Sequence, residues 1–241
     1  MTENLLSKIS KNFQNYNVEK IEGGASKKKF YRLCNNSNSY ILSDFNADIK
    51  EYNNHLRIYE ILKELNVSIP RIFERYDDHL ITISQDFGRL RYDKIILDYH
   101  LKDLLSNAVE TLIIFNKSIK YNIEYQLPQY DHRIFESEIM EMSKYYFPYI
   151  KLDNKNLIKD FYEIWFEAFQ NISFEFKSFV HKDFNINNLI LIPDKKNHLK
   201  CGVIDYQSAF WGDNSWDLFS LLEDSRVLFS DEYNDYFIDY F

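Results

Sequence analysis

The sequence predicts an α+β protein in two lobes, a small β-rich lobe followed by a larger, mainly helical one. Three observations carry this expectation. Short apolar runs of strand type, punctuated by turn residues, crowd the first 88 residues. From about residue 95 to residue 171 the apolar side chains instead recur at the helical steps of three and four. A chain of 241 residues is long enough for two lobes around a shared cleft with a substantial core. The pattern changes on SQDFGRL, residues 84–90, so the lobes are read as 1–88 and 89–241.

Taken in order, residues 1–16 read as a short amphipathic helix. Val18 to Ile21 and Phe30 to Leu33 read as strands on either side of EGGASKKK, and Tyr40-Ile41-Leu42 begins a third. DIKEYNNHLRIYEILKELN reads as a helix, with Leu56, Tyr59 and Leu62 at steps of three and a capping-box pattern at Asp48 and Glu51. Pro70 blocks its continuation, and IPRIFE and HLITIS read as two more strands. Two long helices follow in LDYHLKDLLSNAVETLIIFNKSI and NLIKDFYEIWFEAFQ. The second puts Phe161, Ile164, Trp165, Ala168 and Phe169 on one face, expected to pack into the core. NLILI and CGVI read as short strands joined by the turn PDKKNH, and SWDLFSLLED as a helix.

Composition excludes several partners. With 45% apolar and 27% charged residues the chain reads as a soluble globular protein. A net charge of −8 argues against a broad nucleic-acid surface, which needs clustered cations, and Lys27-Lys28-Lys29 is too short to supply one. No apolar run approaches the ~20 residues of a membrane span, and MTENLLSKISKNF has no signal-peptide core. Cys34 and Cys201 are two distant thiols that suit a reducing cytosol. The expectation is a cytoplasmic monomer without nucleic-acid or membrane partners.

The chemistry concentrates in FVHKDFNINNLILI. His181, Asp183 and Asn188 form the pattern H-x-D-x-x-x-x-N on a loop between apolar runs, and Asp205 follows at the end of CGVI. Two antiparallel strands joined by a turn would bring Asn188 and Asp205 side by side. Their oxygens are hard ligands suited to magnesium, and Asp183 could then accept a proton from an attacking hydroxyl. The bland reading of the same residues is a surface loop whose Asp and Asn side chains only shape turns.

HKDFNINNL and GVIDYQSAFWGDNSWDLFSLL resemble the aminoglycoside phosphotransferase and choline kinase superfamily, and most closely the bacterial N-acetylmuramate/N-acetylglucosamine anomeric kinases. GGASKKKFYRL resembles their nucleotide loop, ITISQDFGRL their interlobe hinge, and LPQYDHRIFESEIMEMSKYY a helical stretch of that subgroup. The resemblance implies a protein-kinase-like fold with a nucleotide-binding lobe and a catalytic, acceptor-binding lobe. It implies ATP and Mg2+ as cofactors and transfer of a phosphoryl group to a small-molecule acceptor, an amino sugar first. An aminoglycoside or choline-type acceptor, or a non-catalytic nucleotide-binding pseudokinase, are the alternatives. Asp183 maps to the base, Asn188 and Asp205 to the metal ligands, and Asp217 to an Asp that braces the catalytic loop. Gly23, Gly24, Ala25, Ser26, Lys28 and Arg32, with the hinge residues Asp86 and Phe87, map to the nucleotide site. Tyr130, Asp131 and Glu138 map to the acceptor.

Two departures stand out. SQDFGRL contains a DFG triplet, yet it precedes the catalytic loop, so Asp86 is expected at the hinge and Asp205 at the metal. YILSDF lacks the lysine that kinases carry on the third strand, leaving Lys28, Lys29 or Arg32 to replace it. His181 is expected to order the loop, while Lys182 could touch a phosphate or be solvated. Relatives usually continue past the last helix seen here, so a short variant or a truncated sequence is expected.

Overall fold

The computed structural model describes residues 6–22, 28–117, 127–172 and 177–241. Five antiparallel strands, β1 (Asn17–Ile21), β2 (Lys29–Cys34), β3 (Ser39–Asp44), β4 (Ile72–Tyr76) and β5 (Ile81–Gln85), form one sheet in the order β1-β2-β3-β5-β4. Tyr31, Leu33, Leu42, Ile81 and Ile83 bury one of its faces against Ile9 and Phe13. Of the helix expected over residues 1–16, the described part keeps only Leu6 in helical conformation, and residues 7–16 do not continue it. Only Lys11–Phe13 makes a short 3-10 turn, begun by the Ser10 side chain. Ser10 N–H also donates to the Tyr76 hydroxyl, so the segment is laid along the sheet rather than coiled.

Helix α1 (Ile49–Lys63) starts where the Asp48 carboxylate accepts the Glu51 N–H at 2.9 Å. The reciprocal half of the capping box is absent, because the Glu51 side chain turns to Lys28. Ile58, Ile61, Leu62 and Leu65 are buried in the same core as Leu104, Leu105, Leu112, Phe179, Leu189 and Val203 from the second half of the chain. Each fully buried side chain of this kind contributes about 1.5–3 kcal/mol, so α1 is fixed to the helices that follow it.

The second half contains α2 (Tyr92–Ile95), α3 (Leu101–Asn116), α4 (His132–Glu141) and α5 (Lys155–Gln170). α4 runs on through a π-helical stretch, Met142–Tyr146, into Phe147–Tyr149. Strands β6 (Lys177–Val180) and β9 (Phe210–Asp213) pair, as do β7 (Leu189–Leu191) and β8 (Cys201–Val203). Helices α6 (Ser215–Leu222) and α7 (Asp231–Tyr240) close the chain. The stripe expected to pack from α5 is a correction: Phe169 is buried, but Ile164 is 66% and Trp165 45% exposed and Ala168 is exposed. Phe135 of α4 stacks on Phe169 and lies near Trp165, and Phe147 meets Phe161, so the face is covered in part but is not a buried core seam. No helix among the described residues is long and apolar enough to cross a membrane.

The two halves meet at Asp86. Its carboxylate accepts from Arg32 Nε at 2.6 Å and Nη2 at 3.1 Å, from Ser39 Oγ at 2.5 Å and from the Gly88 N–H at 2.8 Å. Arg32 also donates to the Gly88 carbonyl at 3.0 Å. Burial raises the Asp86 carboxyl, but these donors overcome it and hold it below the usual carboxylate range. Gly88 has φ +94°, a left-handed conformation that glycine adopts at little cost.

Replacing Asp86 with Ala leaves the guanidinium of Arg32 enclosed and unpaired, which typically costs about 3–5 kcal/mol. The expected result is a melting temperature lower by roughly 6–20 °C, read by calorimetry. Arg32→Met together with Asp86→Leu is expected to recover most of that loss, since a matched apolar pair removes both charges.

Candidate active site

The site is assembled by the β7–β8 pair. Leu189 is paired with Val203, and Ile204 N–H donates to the Asn188 carbonyl at 3.0 Å, so Asn188 and Asp205 end side by side. Asp205 sits in the left-handed region at φ +66°. The Asn188 amide nitrogen donates to the Asp183 carbonyl at 2.9 Å, which leaves its oxygen for another partner. On Asp205, Lys28 Nζ at 2.7 Å and Gln207 Nε2 at 3.2 Å both donate to Oδ1. Two hard oxygens, Asn188 Oδ1 and Asp205 Oδ2, thus fit a magnesium ion that takes its remaining ligands from phosphates and water. Among the described residues no group of three or more His, Cys, Asp or Glu could hold a metal.

Strand β3 has no lysine, and Lys28 is a buried cation beside Asp205. Its side chain is 2% exposed, with Nζ 3.2 Å from Glu51 Oε1 and 2.7 Å from Asp205 Oδ1. The ammonium also lies 5.4 Å from the Phe30 ring centroid and 5.7 Å from that of Phe45. Burial raises the Asp205 carboxyl, but Lys28 and Gln207 more than offset it and hold it low. Asp183 goes the other way: burial and the neighbouring Asp205 charge raise it, against the attraction of Lys182 and Lys28. The two carboxyls are thus pushed apart, Asp205 toward its ionised form and Asp183 toward a tighter hold on a proton.

Other side chains hold this arrangement. His181 is fully buried with Nε2 bonded to the Ile204 carbonyl at 3.0 Å, and burial pushes the ring down to about 4. It is a neutral tie between the catalytic loop and the approach to Asp205, as the sequence suggested. Asp217, in the first turn of α6, accepts the His181 N–H at 2.6 Å and the Lys182 N–H at 3.0 Å. Burial pushes its carboxyl up to about 7 against those two bonds. His55, one turn after Glu51 on α1, stacks on Tyr206 at 5.0 Å and 10°, and burial pushes it down to about 3.

Next to Asp183 in the chain, Lys182 Nζ donates to Glu138 Oε1 at 2.6 Å, and Tyr130 Oη donates to Glu138 Oε2 at 2.6 Å. Tyr130 is wedged against Phe210 and Trp216, with centroids at 5.0 and 4.9 Å. Asp131 is committed elsewhere: it caps α4 through the Arg133 and Ile134 N–H groups and pairs with the Arg133 guanidinium. The Arg32 fork is likewise taken up, by the Asp86 carboxylate and the Gly88 carbonyl. Phe87 packs its ring on Gly202, where an added Cβ would lie 2.6 Å from Cδ2. Gly23, Gly24, Ala25 and Ser26 lie outside the described residues. Sequence reasoning missed the Glu51 partnership, the His55 stack and the Lys182–Glu138 pair. Of these only Glu51 had a visible signal, one turn into an N-terminal helix and opposite a lysine-rich segment.

Residues 142–241 match the model of a phosphotransferase enzyme family. The chain is 23% identical over 215 residues to an N-acetylmuramate/N-acetylglucosamine kinase of Neisseria meningitidis serogroup B, covering 86% of this chain and 61% of that one. It therefore spans about three fifths of that relative's length. A 54-residue stretch is 37% identical to the kinase of the same description from Caulobacter vibrioides, 22% of this chain and 15% of that one. Among solved structures, an ADP-bound aminoglycoside phosphotransferase APH(2'')-Ib superposes with a TM-score of 0.66 at 18% identity, covering 99% of this chain and 80% of that one. The streptomycin–ATP complex of APH(2'')-IIa gives 0.67 at 18% identity with the same coverage. The fold is that of the aminoglycoside phosphotransferases, α+β and protein-kinase-like.

Asp217 gives a pH prediction. Its folded carboxyl titrates near 7 and an unfolded Asp near ~3.9. The folded state therefore binds this proton more tightly, and the group's contribution to stability declines as pH rises from about 4 to about 7. Asp217→Asn is expected to be less stable throughout, with the gap to wild type narrowing from about pH 4 to about pH 7. Denaturant titrations at several pH values measure it; a widening gap would show an Asp217 that is ionised throughout.

Proposed function

We propose that this protein is a small-molecule kinase that transfers the γ-phosphoryl group of ATP to a hydroxyl of an amino sugar of the N-acetylmuramate/N-acetylglucosamine kind. The observation that carries the reading is Lys28 between Glu51 and Asp205 at 3.2 and 2.7 Å, beside Asn188 and Asp183. Kinases place a lysine against the α- and β-phosphates and pair it with a helix glutamate. Here the lysine comes from the entry to β2 instead of β3. Residues 1–88 would hold the nucleotide and 89–241 the acceptor, with the backbone at Asp86 and Phe87 meeting the base. The similarity to kinases named for N-acetylmuramate and N-acetylglucosamine supports the acceptor class. A cytoplasmic monomer acting on ATP and a soluble sugar fits the acidic charge of −8.

Magnesium supplies charge neutralisation between the phosphates, with Asn188 and Asp205 as its protein ligands. Asp183 orients the acceptor hydroxyl and takes its proton while the new O–P bond forms and the bond to the leaving ADP oxygen breaks. Lys28 offsets charge on the phosphates. His181 and Asp217 keep Asp183 in place, so catalysis is mainly positioning and charge stabilisation. An aminoglycoside acceptor is the second reading, favoured by the TM-score of 0.67 to an aminoglycoside-bound enzyme.

Acceptor-dependent ADP release across amino sugars, aminoglycosides and choline tests the reading. Asp183→Asn is expected to lower kcat by at least ~100-fold while calorimetric affinity for Mg·ATP changes less than about threefold. Retained turnover in that variant would remove Asp183 from the mechanism. Lys28→Met is expected to raise KM for ATP by roughly 10–100-fold, the loss of a charge-assisted hydrogen bond, with a smaller effect on the acceptor KM. If KM for ATP is unchanged with the fold intact, Lys28 does not hold phosphate.

A further inference from the structure

We infer that Lys182 sorts acceptors by charge: its ammonium, paired with Glu138 beside Asp183, admits neutral sugars and turns away cationic ones. This rests on the kinase reading above and adds a residue to it. The starting observation is backbone strain. Lys182 has φ +81°, a region where a side chain is disfavoured and glycine is not. The conformation is imposed by α6, because the Lys182 N–H is held by Asp217 at 3.0 Å and its carbonyl by Trp216 Nε1 at 3.3 Å. Glycine would meet both bonds without strain, so the lysine side chain has a reason to be there.

Stability is a poor reason. The Lys182–Glu138 pair is 32% exposed on both sides, and ion pairs this open add little to folding. Its location is the better one. The ammonium has three donors and gives one to Glu138; among the described residues no other acceptor takes the remaining two. Glu138 is held on its second oxygen by Tyr130. Lys182 is the residue next to Asp183 in the chain, and the charges of both Lys182 and Glu138 act on Asp183, so the pair stands beside the proposed base. With Asp183 and Asp205 nearby, Glu138 alone would make an acidic pocket attractive to amines. Lys182 neutralises Glu138 and offers donors to hydroxyl and acyl oxygens. A protonated amine there would meet a like charge, which specific sites use to reject wrong ligands.

The test uses a pair of acceptors that differ in one charge, N-acetylglucosamine and glucosamine, with kcat/KM measured for each. In wild type the ratio favours the N-acetyl sugar. In Lys182→Gly that ratio is expected to fall at least about tenfold, the size of one like-charge contact. KM for ATP is expected to be unchanged and the melting temperature equal or higher. Lys182→Arg, which keeps the charge, is expected to hold the ratio within about threefold of wild type. Where turnover is slow, calorimetric binding of the two sugars with ADP present reads the same ratio. An unchanged ratio in Lys182→Gly, including equal loss on both sugars, overturns the inference while leaving the kinase reading intact. Wild type that shows no acceptor-dependent ADP release with any sugar overturns the amino-sugar reading, and this inference with it.

Discussion

One buried ammonium holds the site together. Lys28 lies between carboxylates from α1 and from the end of the β7–β8 pair. Charges this close repel strongly where water is scarce, so Glu51 and Asp205 can share the cleft only with a cation between them. The lysine is also walled by Phe30 and Phe45, whose rings favour a cation over their faces. The sheet entry, α1 and the loop at Asp205 are thereby brought into register by a single side chain. The strand that carries this lysine in kinases has none here, and the geometry survives because β2 enters the sheet next to it.

A second set of constraints fixes the catalytic loop from below. Asp217 accepts two successive backbone N–H groups, and His181 reaches across to Ile204. These ties set the direction of Asp183 without touching its carboxylate. The same grip sets the unusual backbone at Lys182. Order at Asp183 and strain at its neighbour have one cause.

Much of this was legible in the sequence, and the parts that were not share a reason. The H-x-D-x4-N loop and Asp205 are separated by one short strand pair, so local pairing alone brings them together. The two strands that lead into SQDFGRL, β4 and β5, were visible as short apolar runs, and Asp86 pairs there with Arg32 and Ser39. Glu51 was misjudged because a cap and a distant salt bridge use the same residue at the same position. Lys28 and Arg32 could not be told apart by type; only strand register decides that one reaches Asp205 and the other Asp86. On α5 the apolar period was real, but period does not say whether anything lies against the face.

The core contains a boundary that the chain order conceals. α1 falls in sequence between β3 and β4, yet its apolar face is shared with α3, β6, β7 and β8, while the sheet keeps a separate cluster around Leu33 and Ile83. Units that open together follow shared burial and not sequence position. Backbone amides of α1 therefore belong, in hydrogen exchange, with the helices of the second half. The five strands form another cooperative unit that can lose its protection while Glu51 and His55 stay in place.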